Sequence, residues 1–349
     1  MIRVLVVEDS STERQLLVEI IAAESQTFAV VGQAKNGLEA VEMTRRLRPD
    51  VVTMDIRMPL LDGLEATLQI MRESPTPVVV ISGRGVLEVR TSLEALQAGA
   101  LAVLEKPAGP AVPGFAERCR ALLQTVRLMA EVKVVRRSGE RPSAAVALPS
   151  AVAGPRERPR AIGIATSTGG PAALQEIFSR LPGDFPAPIL VVQHITNGFV
   201  GGLAAWLQST AKVRVKVAEQ DELAAAGVVY LASDDRHLGL SSHGHLVVSA
   251  AAPVGGFRPS GTFLFASMAQ ALGPGLLAVI LTGMGRDGVD GLRKVKASGG
   301  CVLAQDEASS VIFGMPAAAI EAGLADEIRP LADLAGRLIS LATIGGQTK

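Results

Sequence analysis

Short apolar runs recur along the first 125 residues, and each is followed by a longer stretch in which apolar and polar positions alternate at helical spacing. The runs RVLVVED, FAVVGQA, PDVVTMDI, TPVVVISG and ALAVLEKP read as strands, and TERQLLVEIIAAE and GLEAVEMTRRL read as helices between them. Strands that are apolar throughout and separated by helices belong to a parallel sheet covered on both faces. The pattern predicts a five-stranded, doubly wound α/β domain over residues 1–127, with a last helix near 113–129.

The pattern then breaks. Residues 128–159 include EVKVVRRSGERPSAAVALPSAVAGPRERP, which is rich in Arg, Pro, Ala and Ser and has little periodicity. Such a composition cannot build a core and is expected to be a flexible linker. A second α/β pattern follows over 160–345, with RAIGIAT, APILVVQH, VRVKVAEQ, GVVYLAS, HLVVSA, LLAVILTGMG and GCVLAQDE as strands of a mostly parallel sheet. VVYLASDDRHLGLSSHGHLVVS reads as an antiparallel hairpin added to it. No internal repeat is visible.

Composition narrows the function classes. A length of 349 residues suits two domains, and 48% hydrophobic with 19% charged residues suits a globular chain. Lys+Arg and Asp+Glu are both 34 and aromatics are 3%. A nucleic-acid surface would show as a basic excess with stacking aromatics, so nucleic acid is not an expected partner. Cys119 and Cys301 stand far apart, as ordinary reduced thiols do, rather than in a disulfide framework or zinc site. The apolar run in MIRVLVVEDS is too short for a signal peptide, and no run approaches the ~18 residues of a membrane span. A cytoplasmic protein, not membrane-embedded, is expected.

Two constellations carry candidate chemistry. In the first half, Glu8 and Asp9 end the first strand, Asp55 the third and Lys106 the fifth, with Ser82 after the fourth. Strand ends of a doubly wound sheet face one crevice. Converging carboxylates repel one another unless a cation holds them, and so few protein oxygens suit Mg²⁺; Lys106 supplies a charge for a phosphoryl oxygen. Asp9 or Ser10 could equally be a plain helix N-cap. VLVVEDS, DVVTMDIRMPLLDGLEA, VVVISG and VLEKP resemble the receiver domain of two-component response regulators, a flavodoxin-like fold. That resemblance makes Asp55 the phosphoacceptor. It makes Glu8, Asp9 and Asp55, with the backbone carbonyl of Arg57, the Mg²⁺ ligands, and Ser82 and Lys106 the phosphate contacts. A histidine kinase is then the phosphodonor. Val103 stands where the family has its switch aromatic.

In the second half, IGIATSTGGP places Ser167 after one strand, VVQH places His194 after the next, and LTGMGRDG places Asp287 after a later one. A serine needs a base to become nucleophilic, and the base needs a carboxylate to orient it. Spacing alone leaves this open. Asp290 and Asp306 also follow late strands, His237, His243 and His245 are further histidines, and the latter two suit a solvated turn. STGGP lacks the Lys-Ser/Thr ending of a P-loop, so phosphate binding there falls behind catalysis.

TSTGGP, VVQH, VILTGMGRDGVDGL and LAQDEASSVIFGMPAAAIEAG together resemble the catalytic domain of the chemotaxis protein-glutamate methylesterases, the CheB family. The resemblance implies Ser167 as nucleophile, His194 as base and Asp287 as orienting acid. The glycine turn, through Thr168 and Gly169, and Met284 are the implied backbone oxyanion donors. The implied reaction is hydrolysis of glutamate γ-methyl esters on the cytoplasmic helices of chemoreceptors, with methanol released, and in some members deamidation of receptor glutamines. No cofactor is expected for it. The receiver is expected to sit over the active site until Asp55 is phosphorylated. Departures are the missing proline in QHITNGF, YLASDD, and the missing acid in RPSGTF. The alternative is a receiver-regulated receptor-binding module without catalysis.

Overall fold

A computed structural model describes residues 1–83, 91, 94–112, 114–132, 134 and 158–343. The chain divides into two compact units, 1–146 and 147–349. Most of the expected linker, 133 and 135–157, lies outside the described residues, as do residues 344 and 345 of the expected second domain.

The first unit is a five-stranded sheet in the order β2-β1-β3-β4-β5. Its strands are β1 (Ile2–Val7), β2 (Phe28–Ala34), β3 (Val51–Met54), β4 (Val78–Ser82) and β5 (Ala102–Glu105), all paired in parallel. β3 and β4 are buried at every position, because both of their faces are covered. The chain order reverses between β1 and β3, the place where a doubly wound sheet opens a crevice. Ser10, not Asp9, caps the helix Ser11–Ala22, its hydroxyl accepting from the Glu13 N–H. Asp9 is thereby left to the crevice. The last helix is Phe115–Met129.

The second unit is a seven-stranded parallel sheet in the order β14-β13-β12-β6-β7-β9-β8. Its strands are β6 (Ala161–Thr166), β7 (Ile189–Gln193), β8 (Arg214–Val217), β9 (Val228–Leu231), β12 (Leu276–Ile280), β13 (Cys301–Gln305) and β14 (Glu327–Arg329). Here the order reverses between β6 and β12. β10 (His237–Leu240) and β11 (Leu246–Ser249) form the separate two-stranded antiparallel hairpin.

Two details depart from the sequence-based expectation. VVYL is not an arm of the hairpin; as β9 it lies between β7 and β8 in the parallel sheet, buried on three of its positions. An apolar strand with two covered faces belongs inside a sheet. The hairpin proper begins at His237, after Asp235 has turned the chain with φ +52. β14 was not expected at all: three half-buried residues, Glu-Ile-Arg, offer no apolar run to read. No helix among the described residues is long and apolar enough to cross a membrane. Both cysteines are free.

Candidate active site and phosphoacceptor site

β6, β7 and β12 are neighbours, so the residues leaving their C-terminal ends leave side by side. Thr166 pairs with Gln193, the His194 N–H donates to the Thr166 carbonyl at 3.0 Å, and the Ser167 N–H donates to the Thr282 carbonyl at 3.0 Å. Gln193 fastens the two exits together, its Nε2 donating to the carbonyls of both Ser167 and His194 at 2.8 Å. Thr282 ties in the third strand by donating from its hydroxyl to the Thr168 carbonyl at 2.9 Å.

The glycines are there for space. A Cβ on Gly283 would lie 2.7 Å from Ser167 Cβ and 2.9 Å from Ser167 N. Gly169 has φ +79, a left-handed conformation, and its Cβ would meet Val311 Cβ at 2.6 Å. Such contacts require glycine. The backbone N–H groups of Thr168, Gly169 and Met284 have no hydrogen-bond acceptor among the described residues. Donors left unpaired at a strand–helix turn are what an oxyanion needs.

His194 and Asp287 are joined, Nε2 to Oδ2, at 2.9 Å. Asp287 lies at the N-terminus of the helix Gly261–Leu272, where it also accepts from Ser260 Oγ at 2.7 Å and from the N–H groups of Gly261, Thr262 and Gly288 at 2.6, 3.1 and 2.9 Å. Burial alone would raise its pKa. The hydrogen bonds from His194 and Ser260 and the imidazole charge outweigh burial and bring it down to about 2. With Nε2 committed to the carboxylate, Nδ1 of His194 is the ring nitrogen left over, buried and without a hydrogen-bond partner. It makes no hydrogen bond to the half-buried Ser167 on the neighbouring strand end. One face of the imidazole is covered by Phe257, stacked at 4.4 Å between ring centroids and 8° between planes.

The other candidates fall away from this cluster. Asp290 is exposed and pairs with Arg293, and Asp306 accepts from Ser309. His237 is fully buried, bonded through Nε2 to the Ala252 carbonyl and stacked on Phe263. His243 and His245 are exposed in the hairpin turn.

In the first unit, single ligand atoms of Glu8, Asp9 and Asp55 lie within 4.8 Å of one another. Lys106 reaches into the group, its Nζ 2.9 Å from Glu8 Oε2, 2.9 Å from Asp55 Oδ1 and 2.8 Å from Glu13 Oε2. Burial pushes Glu8 up to about 7, helped by the Asp55 charge, and burial likewise raises Asp55 against the pull of Lys106. Burial works against the Lys106 charge, but Glu13, Glu8 and Asp55 outweigh it and hold the ammonium well above its ordinary range. Despite its ion-pair distance, Glu8 Oε2 has no aligned hydrogen-bond donor. Clustered acids with a buried, under-satisfied oxygen fit a hard divalent cation. Ser82 is buried at the end of β4, and Lys106 N–H donates to its carbonyl at 2.9 Å. Arg57 is exposed.

Comparison with known proteins decides the family. Residues 162–338 match the family model described as CheB methylesterase, and residues 4–112 match that of the response regulator receiver domain. The chain belongs to the CheB methylesterase family. It is 55% identical over 341 residues to protein-glutamate methylesterase/protein-glutamine glutaminase 4 of Myxococcus xanthus, spanning 97% of this chain and 96% of that one. It is 52% identical over 339 residues to the correspondingly named protein 3 of Anaeromyxobacter dehalogenans, spanning 97% and 98%. The solved catalytic domain of the Thermotoga maritima CheB methylesterase covers 52% of this chain and 98% of its own, with 42% identity and a TM-score of 0.51.

Both relatives are named as enzymes, which does not favour a non-catalytic module. The sequence pattern does not single out Gln193, Ser260 and Phe257 around His194 and Asp287, nor Glu13 beside Lys106. Gln193 stands in VVQH and Ser260 in RPSGTF, segments that carry the resemblance or depart from it without disclosing these two side chains' roles. Glu13 had a local signal, an acid in the first turn of a capped helix, yet its reach to Lys106 spans 93 positions of chain.

Proposed function

We propose that this protein is a phosphorylation-regulated esterase that removes methyl groups from glutamate side chains on the cytoplasmic helices of chemoreceptors, releasing methanol. Deamidation of receptor glutamines is the companion reaction, in keeping with the names of its relatives. The observation that carries the reading is the His194–Asp287 pair, with Nδ1 unpartnered, on the strand end next to Ser167.

In this reading Ser167 Oγ attacks the ester carbonyl while His194 Nδ1 takes its proton. Asp287 holds the Nε2–H tautomer and stabilises the imidazolium. The N–H groups of Thr168, Gly169 and Met284 receive the oxyanion. The imidazolium returns its proton to the departing methoxide, and a water, deprotonated in turn by His194, hydrolyses the acyl-enzyme. For the amide substrate the leaving group is ammonia.

Asp55 is the phosphoacceptor, a histidine kinase its donor, and the protein works in the cytoplasm. Residues 1–127 act as receiver, 128–159 as linker and 160–345 as catalytic domain. Glu8, Asp9 and Asp55, with the Arg57 carbonyl, hold Mg²⁺, which when bound offsets phosphoryl charge. Lys106 and Ser82 contact the phosphoryl group.

Methanol release from a methylated receptor fragment, with and without acetyl phosphate, tests the assignment. Ser167→Ala is expected to remove turnover and fluorophosphonate labelling together. Asp55→Asn is expected to keep basal turnover and lose the response to acetyl phosphate. Activity of Ser167→Ala within a few-fold of wild type rules out the nucleophile.

A further inference from the structure

Among the described residues, Phe257 is one of the few large apolar side chains that stay open to solvent, 36% exposed, yet its ring lies flat on the His194 imidazole at 4.4 Å and 8°. Leaving a phenyl ring so exposed forgoes burial energy that a core position would retain. The chain around it is also held with unusual care for a surface loop. Val254 and Phe257 exchange backbone hydrogen bonds of 3.0 Å in both directions. The next residue, Arg258, clamps Asp235 with both prongs of its guanidinium, at 2.7 and 2.8 Å, and donates to the carbonyls of Ala250 and Ala251 at 3.2 and 3.1 Å. Two residues further on, Ser260 donates to Asp287. The start of the loop is pinned from below, where the Ala252 carbonyl meets buried His237 at 3.1 Å. One short segment therefore fixes a ring on the base and a hydroxyl on the acid that orients the base.

We propose that Phe257 is a positioning residue for His194, holding the imidazole plane and stabilising the imidazolium that forms as Ser167 loses its proton. The inference rests on the esterase reading of the same site. An aromatic face attracts a cation lying over it, more strongly where water is displaced. That attraction grows only as the imidazole becomes charged, so it acts on the transition state and not on substrate binding. The stack also restrains rotation of the ring, which keeps Nδ1 directed while Nε2 stays on Asp287.

The test uses the full chain, with methanol release from a methylated receptor fragment. Phe257→Leu keeps an apolar side chain of similar reach but has no π face. Its kcat is expected to fall about tenfold with KM changed less than about twofold, and Phe257→Trp is expected to restore kcat to within about threefold of wild type. Unchanged kcat in the Leu variant, a loss confined to KM, or a Trp variant as slow as Leu overturns the proposal. A second measurement needs no turnover. The ring-current upfield shift of the His194 carbon-bound protons is expected in wild type and Phe257→Trp and absent in Phe257→Leu, and its absence in wild type also overturns the proposal. If wild type releases no methanol while the ring-current pattern holds, the esterase reading fails and the positioning of His194 by Phe257 stands.

Discussion

A single carboxylate illustrates how much local chemistry the catalytic unit concentrates at one atom pair. Asp287 accepts from an imidazole, a hydroxyl, the Gly288 N–H and the N–H groups of Gly261 and Thr262 at a helix start, where the helix dipole also favours negative charge. Its pKa of about 2 lies below the ordinary 3.8. A lowered folded-state value means that the unfolded chain binds the proton more tightly. The stabilisation is therefore fully present above about pH 4 and is lost as pH falls through about 2. The difference corresponds to about 2 kcal/mol. Denaturant unfolding of wild type and Asp287→Asn from pH 6 to pH 2 checks this. The stability gap between the two proteins should be widest at pH 6 and should shrink by about 2 kcal/mol by pH 2. A gap independent of pH would mean that the charge of Asp287 does not stabilise the fold.

At the scale of elements, the geometry proposed for catalysis depends on three parallel strands ending together, with glycine where the exits crowd. Gly283 is the point that bears directly on Ser167, because an added methyl would meet that residue at both Cβ and N. Gly283→Ala is expected to displace Ser167 and lower kcat about a hundredfold, since misplacement by about 1 Å costs that much. Incorporation of phosphate on Asp55 should be unchanged. Gly201→Ala serves as the control: it lies in the helix Val200–Gln208, nothing is within 4 Å of the added methyl, and the change should be neutral or mildly stabilising. Strand periodicity made most of this framework legible. FAVVGQA is β2 residue for residue, and the apolar cores of the other runs became strands. β14 is too short and polar to be read, and β9 looks like a hairpin arm because nothing local says what covers its two faces. Ser167, His194 and Asp287 stand at strand ends with recognisable wording. Phe257 meets His194, and Glu13 meets Lys106 in the first unit, only through contacts between residues distant in sequence, and no spacing rule reaches those.

At the scale of the whole molecule, two sheets with no strand in common each open a crevice at their own point of reversal. The chemistries of the two crevices differ in kind. One gathers the acids Glu8, Asp9 and Asp55 around a lysine and suits a divalent cation. The other pairs an imidazole with a single carboxylate whose oxygens are already taken up by protein donors. Asp287 therefore has little to offer a metal, whereas the Glu8 oxygen lacking an aligned donor does. Removing divalent cations should separate the two functions. In the full chain, EDTA is expected to abolish stimulation by acetyl phosphate while basal methanol release stays within about twofold, and added Mg²⁺ should restore the stimulation. If basal turnover disappears as well, the esterase crevice itself depends on a metal. If stimulation survives complete chelation, phosphoryl transfer does not pass through the cluster of Glu8, Asp9 and Asp55, and the regulatory half of the reading fails while the catalytic half stands.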